Sequence, residues 1–271
     1  MPAESDTPAA GGRDLFEDGA ATWDAYTRAP HGRMREALIL HHLREHLPVN
    51  DASLSVLDAG AGTGGYSLAL ASLGHAVVLV DYAPAMLALA RSHFTAAGAE
   101  TLARAEYHCA PIDELPAVIA CRRFDVLLVH TLLEYVREPW RVLRGLLDLV
   151  APGGLVSLVT VNEAGDVLRL GGPRNDPGGA LKALHGGAPP STPFEAGRTL
   201  LSLERCKLVL GEMGFGSVNR YGIRVFGDSY EAAELADPEL YASVMALELE
   251  TGWRDPFRLI GRYHQLVGVR S

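Results

Sequence analysis

The chain has 271 residues, 48% hydrophobic and 21% charged, which is enough to bury a substantial core. A formal net charge of −9 has the wrong sign for general binding to a phosphate backbone, and no apolar run is long enough to cross a bilayer. Three scattered cysteines fit neither a disulfide framework nor a zinc cluster, and they favour a reducing cytoplasm.

The first 53 residues predict a leader followed by a helical cap. Residues 1–12 are rich in Ala, Pro and Gly and lack the pattern of a signal peptide, so we expect a disordered leader. The cap, residues 13–53, has helical spacing of apolar residues over 33–47, and Pro48 ends that helix. The adjacent His41 and His42 are interpreted as a surface or boundary feature, and no metal site is expected.

Residues 54–161 alternate strands with helices. The predicted strands are 54–58, 76–81, 105–109, 124–130 and 155–161, and the helices between them include 66–73, 85–97 and 140–150. This alternation predicts an α/β fold with a doubly wound, mostly parallel sheet.

The strand–helix rhythm breaks after residue 161. Residues 162–199 are rich in Gly and Pro and predict a long loop, which we interpret as a lid. Residues 200–271 contain two further helical patterns and two strand patterns, so we expect them to complete the sheet and provide the substrate side.

A glycine-rich turn, residues 60–65, follows the first predicted strand and precedes a helix. Such a turn lets the backbone approach a ligand, and the helix N-terminus offers free N–H groups. Gly60, Gly62 and Gly65 also satisfy the dinucleotide pattern G-x-G-x-x-G, so a nicotinamide cofactor has to be weighed, as does a tight turn without a ligand.

Two carboxylates favour S-adenosylmethionine. Asp58 ends the first strand, where it would repel a pyrophosphate but could receive the ammonium group of a methionine moiety. Asp81 ends the second strand, where it could accept both ribose hydroxyls, although dinucleotide sites use such an acid as well.

Residues 56–64 resemble the first motif of class I S-adenosylmethionine-dependent methyltransferases. Residues 151–154 resemble the turn that those enzymes place before the fifth strand. A narrower resemblance, to the bacterial tRNA 5-carboxymethoxyuridine methyltransferase family, is carried by Trp23 and by residues 16–17, 32–37, 108–110, 130–136, 222–226, 247–251 and 261–263.

The resemblance implies that the cofactor is S-adenosylmethionine and implies a role for several residues. Arg35 would bind the methionine carboxylate, Asp81 would bind the ribose, and His130 would close the site. The residues implied to line the cofactor or flank its adenine are Gly60, Ala61, Gly62, Pro111 and Ile112. Arg35 could instead be a solvated arginine on a helix face, His130 a boundary histidine, and Pro111 and Ile112 the start of a helix.

The methyl acceptor is expected to meet the C-terminal part. A carboxylate is nucleophilic at neutral pH, so it needs an orienting cation rather than a base, and Arg224 and Arg262 are the candidates. Their alternative is a structural ion pair with Glu248 or Glu250. The two tyrosines that could stack on a base or simply pack are Tyr221 and Tyr263.

The expected partner is either a tRNA wobble uridine or a small anionic molecule. Residues 163–198 contain four basic and four acidic side chains, so this segment offers little net positive charge to the phosphates of a tRNA. Two alternative functions from other classes are a binding protein that uses this fold without catalysis and an NAD-dependent oxidoreductase. For the oxidoreductase, the common Tyr-x-x-x-Lys pair is absent from the sequence.

Overall fold

The computed structural model describes residues 12–48, 52–115, 119, 122–185, 194 and 198–271. The predicted leader lies outside these residues except for Gly12, where the first helix begins. Three helices precede the first strand: α1 Gly12–Asp18, α2 Ala20–Arg28 and α3 Pro30–Arg44. Helix α3 begins three residues earlier than the apolar spacing predicts, because Pro30 at its first turn is preorganised for helical φ.

Seven strands form one sheet in the order β3-β2-β1-β4-β5-β7-β6. The first five strands pair in parallel, whereas β7 runs antiparallel to both β5 and β6. The strand bounds are β1 Ser55–Ala59, β2 Ala76–Asp81, β3 Ala105–Cys109, β4 Phe124–His130, β5 Val150–Val161, β6 Phe215–Ile223 and β7 Tyr263–Arg270. The predicted α/β fold with a mostly parallel sheet is confirmed.

Helices cover both faces of the sheet and bury two apolar cores. The crossover helices are α4 Gly65–Ser72, α5 Pro84–Ala97, α6 Ala99–Leu102 and α7 Pro139–Leu147. One core packs α3, α4 and α5 on the sheet around residues such as Leu38 and Phe94. The other core lies around Leu143 and Phe124. Burying both faces explains why the central strands are continuous apolar runs.

The segment predicted as a long loop, residues 162–199, contains two helices, so that prediction was wrong for much of its length. Helix α8 spans Glu163–Gly171 and helix α9 spans Pro177–Leu184. The side chains of Asn162 and Asp176 cap them by accepting hydrogen bonds from the N–H groups of Ala164 and Gly179. The rest of the predicted loop, residues 186–193 and 195–197, lies outside the described residues.

Two further helices and the last two strands complete the sheet, as the sequence predicts. Helix α10, Leu203–Glu212, precedes β6, and helix α11, Pro238–Thr251, lies between β6 and β7. No helix within the described part of the chain combines the length and apolarity needed to span a membrane.

Candidate functional site

A cavity of about 1040 Å³ opens at the carboxyl ends of β1, β2 and β4. In open α/β sheets, ligands bind in the crevice at this edge, where the strand order reverses. Its walls come from the helices α1 to α3, the glycine-rich turn, the ends of the three strands and helix α7. The predicted cofactor residues that line it are Arg35, Asp58, Gly60, Ala61, Gly62, Asp81, Pro111, Ile112 and His130.

The glycine-rich turn needs glycine for its backbone conformation. Gly60, Gly62 and Gly64 have φ angles of +74°, +53° and +77°, which side chains rarely tolerate. The N–H groups of Gly60 and Ala61 donate to the carbonyl oxygen of Val80 at 2.9 and 3.0 Å, which ties the turn to the end of β2. The turn therefore exposes backbone to the cavity without intervening side chains.

Asp81 presents a fixed carboxylate to this turn. Its Oδ2 accepts a hydrogen bond from the N–H of Gly62 at 2.8 Å, and its Oδ1 accepts one from the N–H of Ala83 at 2.9 Å. Burial raises the pKa of Asp81, and these N–H donors lower it. Each oxygen keeps a lone pair for the hydroxyl donors of a ligand.

Asp58 lies deeper, with an exposed fraction of 2%. Its Oδ2 accepts a hydrogen bond of 2.6 Å from the hydroxyl of Ser67 on α4. Burial, together with the negative charges of Asp81 and Glu36, raises the pKa of Asp58 to about 7, although the hydrogen bond from Ser67 lowers it. A cationic group bound nearby would favour the ionised form of this carboxylate.

Arg35 on α3 is a buried cation at the cavity wall. Its Nη2 donates to the hydroxyl of Thr131 at 3.0 Å, and its guanidinium lies over the ring of Tyr263 at 4.9 Å. Burial alone would lower the pKa of Arg35, but the phenol groups of Tyr66, Tyr263 and Tyr26 raise it. Its Nε is buried without a hydrogen-bond partner among the described residues, so the group can still donate to an anionic ligand. The alternative of a solvated arginine is wrong.

His130 at the end of β4 is neutral in this environment. Its Nε2 lies 2.9 Å from the hydroxyl of Ser157, which also accepts a hydrogen bond from the amide of Gln265. Burial and, to a lesser extent, the positive charge of Arg35 lower the pKa of His130 to about 3. The imidazole stands edge-on to Tyr66 with ring centres 4.5 Å apart, so it forms a rigid uncharged wall.

The donor set of the cavity fits S-adenosylmethionine. A buried guanidinium suits its carboxylate, the acids at the glycine-rich turn suit its ammonium group, and Asp81 suits its ribose. Pro111 and Ile112 add an apolar wall beside Asp81. Ile112 does begin a short helical turn, 112–114, as its alternative reading held, while it lines the cavity as well.

The two predicted acceptor cations, Arg224 and Arg262, lie behind the cavity rather than at its surface. Arg224 donates to the hydroxyl of Tyr26 at 3.0 Å and forms an ion pair with Asp228. Arg262 lies 3.3 Å from Asp166 and 3.9 Å from Asp228. Their carboxylate partners are therefore these aspartates, and not the Glu248 or Glu250 expected as the alternative.

Glu248 and Glu250 have other partners. The carboxylate of Glu248 accepts three hydrogen bonds, of 2.7 to 2.8 Å, from the backbone N–H groups of Val225, Phe226 and Gly227. Glu250 pairs with Arg254 at the surface. A buried Glu248 thereby holds the backbone that follows β6, including the residue after Arg224.

Tyr263 is the centre of a cationic cluster. The guanidinium groups of Arg35, Arg224 and Arg262 lie 4.9, 5.9 and 5.8 Å from the centre of its ring. Burial alone would raise the pKa of Tyr263, but the positive charges of Arg262, Arg35 and Arg224 lower it to about 7. Its hydroxyl lies 3.4 Å from that of Tyr26, and Tyr26 lines the cavity.

Tyr221, a predicted substrate residue, lies away from both the cavity and the cationic cluster. Its ring stacks on His42 with centres 4.0 Å apart, and its hydroxyl lies 2.6 Å from Nε2 of His46. Two histidines of the α3 region thus cover it, because β6 leads Tyr221 against that helix. His41 is exposed and His42 is buried, with an exposed fraction of 1%, so the pair lies at a boundary rather than wholly at the surface. One nitrogen from each of His41 and His42 and an oxygen of Glu45 lie within 4.8 Å of one another.

Among the cavity residues to which the sequence analysis gave no site role are Trp23, Tyr26, Glu36 and Thr131. Thr131 and Arg224 have positive φ angles of 49° and 58°, which are uncommon for residues other than glycine and cluster at functional sites. Trp23 and Tyr26 are three residues apart on α2, and this spacing could have predicted that both side chains lie on one face of the helix.

Residues 57–158 match the model of a family described as a methyltransferase domain. The chain is 28% identical to tRNA 5-carboxymethoxyuridine methyltransferase of Escherichia coli (strain K12) over 246 residues, 86% of either protein. It is 36% identical to ubiquinone biosynthesis O-methyltransferase of Azotobacter vinelandii over 126 residues, which are 46% of this chain and 51% of that protein.

Solved structures support the fold. Magnesium protoporphyrin IX methyltransferase of Synechocystis PCC 6803 with bound S-adenosylhomocysteine superimposes with a TM-score of 0.60 at 17% identity, covering 96% of this chain and 98% of that one. A methyltransferase of Thermotoga maritima, described as a possible histamine N-methyltransferase, has a TM-score of 0.60 at 14% identity, covering 96% and 100%. These similarities confirm the predicted fold class, and the donor set of the cavity fits the predicted cofactor, S-adenosylmethionine.

Proposed function

We propose that this chain, an S-adenosylmethionine-dependent methyltransferase, methylates a carboxylate, and that this carboxylate belongs to a modified wobble uridine of tRNA. The observation that carries the proposal is the cationic cluster of Arg35, Arg224 and Arg262 around Tyr263, which reaches the cavity through Tyr26. Similarity to the tRNA 5-carboxymethoxyuridine methyltransferase over 86% of both chains supports the same acceptor class.

The cofactor would occupy the part of the cavity next to the glycine-rich turn. Arg35 would hold the methionine carboxylate, Asp81 the ribose hydroxyls, and Asp58 would face the ammonium group. Pro111 and Ile112 would pack against the adenine. When bound, S-adenosylmethionine supplies a methyl group on a positively charged sulfur that a nucleophile can displace in line.

The acceptor carboxylate would meet the hydroxyl of Tyr26. That hydroxyl accepts a hydrogen bond from Arg224 and lies 3.4 Å from the hydroxyl of Tyr263, so its own proton can be donated either to Tyr263 or toward an anion in the cavity. Arg224 and Arg262 then act through Tyr26 and Tyr263 as positioning residues, which changes the direct contact expected from the sequence. Positive charge behind a polar hydroxyl orients an anion without neutralising it in a close ion pair.

A carboxylate acceptor also suits the bases available. His130 is the one imidazole among the described residues that line the cavity, and burial lowers its pKa to about 3. An imidazole this acidic is a poor general base at neutral pH. Asp58, whose pKa is raised to about 7, would face the ammonium group of the cofactor and not the acceptor. An acceptor that is already ionised needs no base, whereas a phenol or an amine cation would need one.

The test is incorporation of labelled methyl groups into bulk tRNA. We expect labelled tRNA whose label is released as methanol by mild alkali, because methyl esters hydrolyse there and N-methyl groups or ribose ethers do not. Label that survives alkali would exclude a carboxylate acceptor. An absence of label in tRNA, with label transferred to another component of the extract, would exclude tRNA.

A small anionic molecule is the second candidate acceptor. Two observations favour it: the net charge of −9, and the balanced charges of residues 163–198, where a tRNA body would need cations. Incubation with a tRNA-free metabolite extract separates the candidates. Alkali-labile label in a small molecule, formed faster than any label in tRNA, would favour this second acceptor.

A further inference from the structure

Glu36 follows Arg35 on α3 and also lines the cavity, but neither the glycine pattern nor the acids at the strand ends single it out. Its carboxylate packs against Gly65, the first residue of α4. A Cβ added to Gly65 would lie 2.6 Å from Oε2 and 3.2 Å from Oε1 of Glu36. Gly60, Gly62 and Gly64 have positive φ angles, whereas Gly65 is helical and could adopt the same backbone conformation with a side chain. What requires glycine at position 65 is the space that the Glu36 carboxylate occupies.

The Glu36 carboxylate lacks a fixed partner. Asp81 has two backbone N–H donors and Asp58 has the Ser67 hydroxyl. Among the described residues, no donor lies within hydrogen-bond distance of Glu36, and its charge reaches Arg35 and His93 only at longer range. Burial raises its pKa, as expected for a carboxyl group that has lost water without gaining a donor.

The position of Glu36 bears on which cofactor the turn accepts. In a dinucleotide site, the pyrophosphate lies at the N-terminus of the helix that follows the glycines. Here that place, next to Gly65, is occupied by a carboxylate that has two further acids, Asp58 and Asp81, as electrostatic neighbours. A pyrophosphate would meet three like charges, whereas an ammonium group would meet three opposite ones.

We propose that Glu36 binds the ammonium group of the methionine moiety of S-adenosylmethionine and excludes anionic dinucleotides from the glycine-rich turn. Arg35 and Glu36 then recognise the two charged groups of one amino acid from consecutive positions of a single helix. This inference rests on the cofactor and not on the identity of the methyl acceptor.

The test compares Glu36→Gln with the wild type by calorimetry, using two ligands. S-adenosylhomocysteine carries the ammonium group, whereas methylthioadenosine lacks the entire amino acid part. We expect Glu36→Gln to weaken the binding of S-adenosylhomocysteine about ten- to hundredfold, which is the range expected for the loss of one charged hydrogen bond. Methylthioadenosine should bind within about twofold of the wild type, which also shows that the adenosine site remains folded. Glu45→Gln, an exposed glutamate at the end of α3, is the matched control.

Two results would overturn the proposal. An unchanged affinity for S-adenosylhomocysteine would show that Glu36 does not contact the ammonium group. An equal loss for both ligands would show that Glu36 supports the turn structurally. Neither result depends on methyl transfer, so failure of this inference remains distinct from failure of the proposed acceptor.

Discussion

The hydroxyl groups of Tyr26 and Tyr263 lie 3.4 Å apart, although 237 residues separate them, and Arg224 donates to the first of them at 3.0 Å. This contact joins the N-terminal helix α2 to the last strand at the side of the cavity. It links Arg224, which lies behind the cavity, to the space where an acceptor would bind.

Tyr263 should titrate far below an ordinary tyrosine. Its pKa is lowered from the usual 10.0 to about 7, so the folded protein releases this proton while the unfolded chain keeps it. The unfolding free energy should therefore rise with pH between about 7 and 10, relative to Tyr263→Phe, and this gain should vanish as the pH falls through 7. Thermal melting across this pH range measures the stability, and the ultraviolet absorbance of tyrosinate measures the ionisation of Tyr263.

The control for Tyr263 is Tyr241→Phe. Burial raises the pKa of Tyr241, so removing its hydroxyl should leave the pH dependence between 7 and 10 unchanged. If the tyrosinate signal of the wild type appeared only near pH 10, the three arginines would not stabilise a phenolate at Tyr263.

Tyr26→Phe should impair use of the methyl acceptor more than binding of the cofactor. The variant removes the hydroxyl that accepts from Arg224, and we expect kcat/KM for the acceptor to fall roughly ten- to hundredfold. The affinity for S-adenosylhomocysteine should change by less than about threefold, because Tyr26 is not among the residues proposed to bind the cofactor. Steady-state kinetics and calorimetry give the two numbers. Equal losses in both would assign Tyr26 to the cofactor.

Asp81→Asn should weaken cofactor binding. An amide can accept from only one of the N–H groups of Gly62 and Ala83, because its nitrogen is itself a donor and would oppose the other. We expect S-adenosylhomocysteine to bind about ten- to hundredfold less tightly. Asp148→Asn, at the end of α7 and away from the cavity, is the control. An unchanged dissociation constant for Asp81→Asn would remove this residue from the ribose site.

Glu248→Ala should destabilise the fold. Three backbone N–H groups, those of residues 225–227, would lose their acceptor in a buried place, at a cost of about 2–5 kcal/mol. Glu250→Ala removes only an exposed pair with Arg254 and should cost less than about 1 kcal/mol. Urea unfolding compares them. Similar losses for the two variants would mean that the loop after β6 does not depend on Glu248.

The core of the fold could be read from the sequence because its signals are local. Apolar runs ending in Asp81 and His130 mark strands whose carboxyl ends must share one edge of a parallel sheet, so the cofactor residues follow from topology. Helices α8 and α9 were missed because Gly and Pro dominate the composition there. Their caps, Asn162 and Asp176 followed by Pro177, were the local signal against a loop.

The acceptor side could not be read in the same way because its contacts are between distant segments. Asp228 lies only four residues from Arg224, but the positive φ of Arg224 and the short turn after it bring them together, and no periodicity encodes that. The contacts of Arg262 with Asp166 and of Tyr221 with His42 join different elements. Side-chain partners of this kind depend on the packed fold.

Gly65→Ala provides an independent view of Glu36, because the added Cβ would lie 2.6 Å from Oε2 and must displace the carboxylate. Alanine favours a helix more than glycine does, so stability should not fall, yet S-adenosylhomocysteine should bind roughly tenfold less tightly if the displaced charge holds its ammonium group. Gly211→Ala, in α10 with no heavy atom within 4 Å of the new Cβ, controls for the helix effect. In the double variant with Glu36→Gln, the losses in binding free energy should not add, because both changes remove one interaction. Additive losses would show that Gly65 and Glu36 affect the cofactor by separate routes.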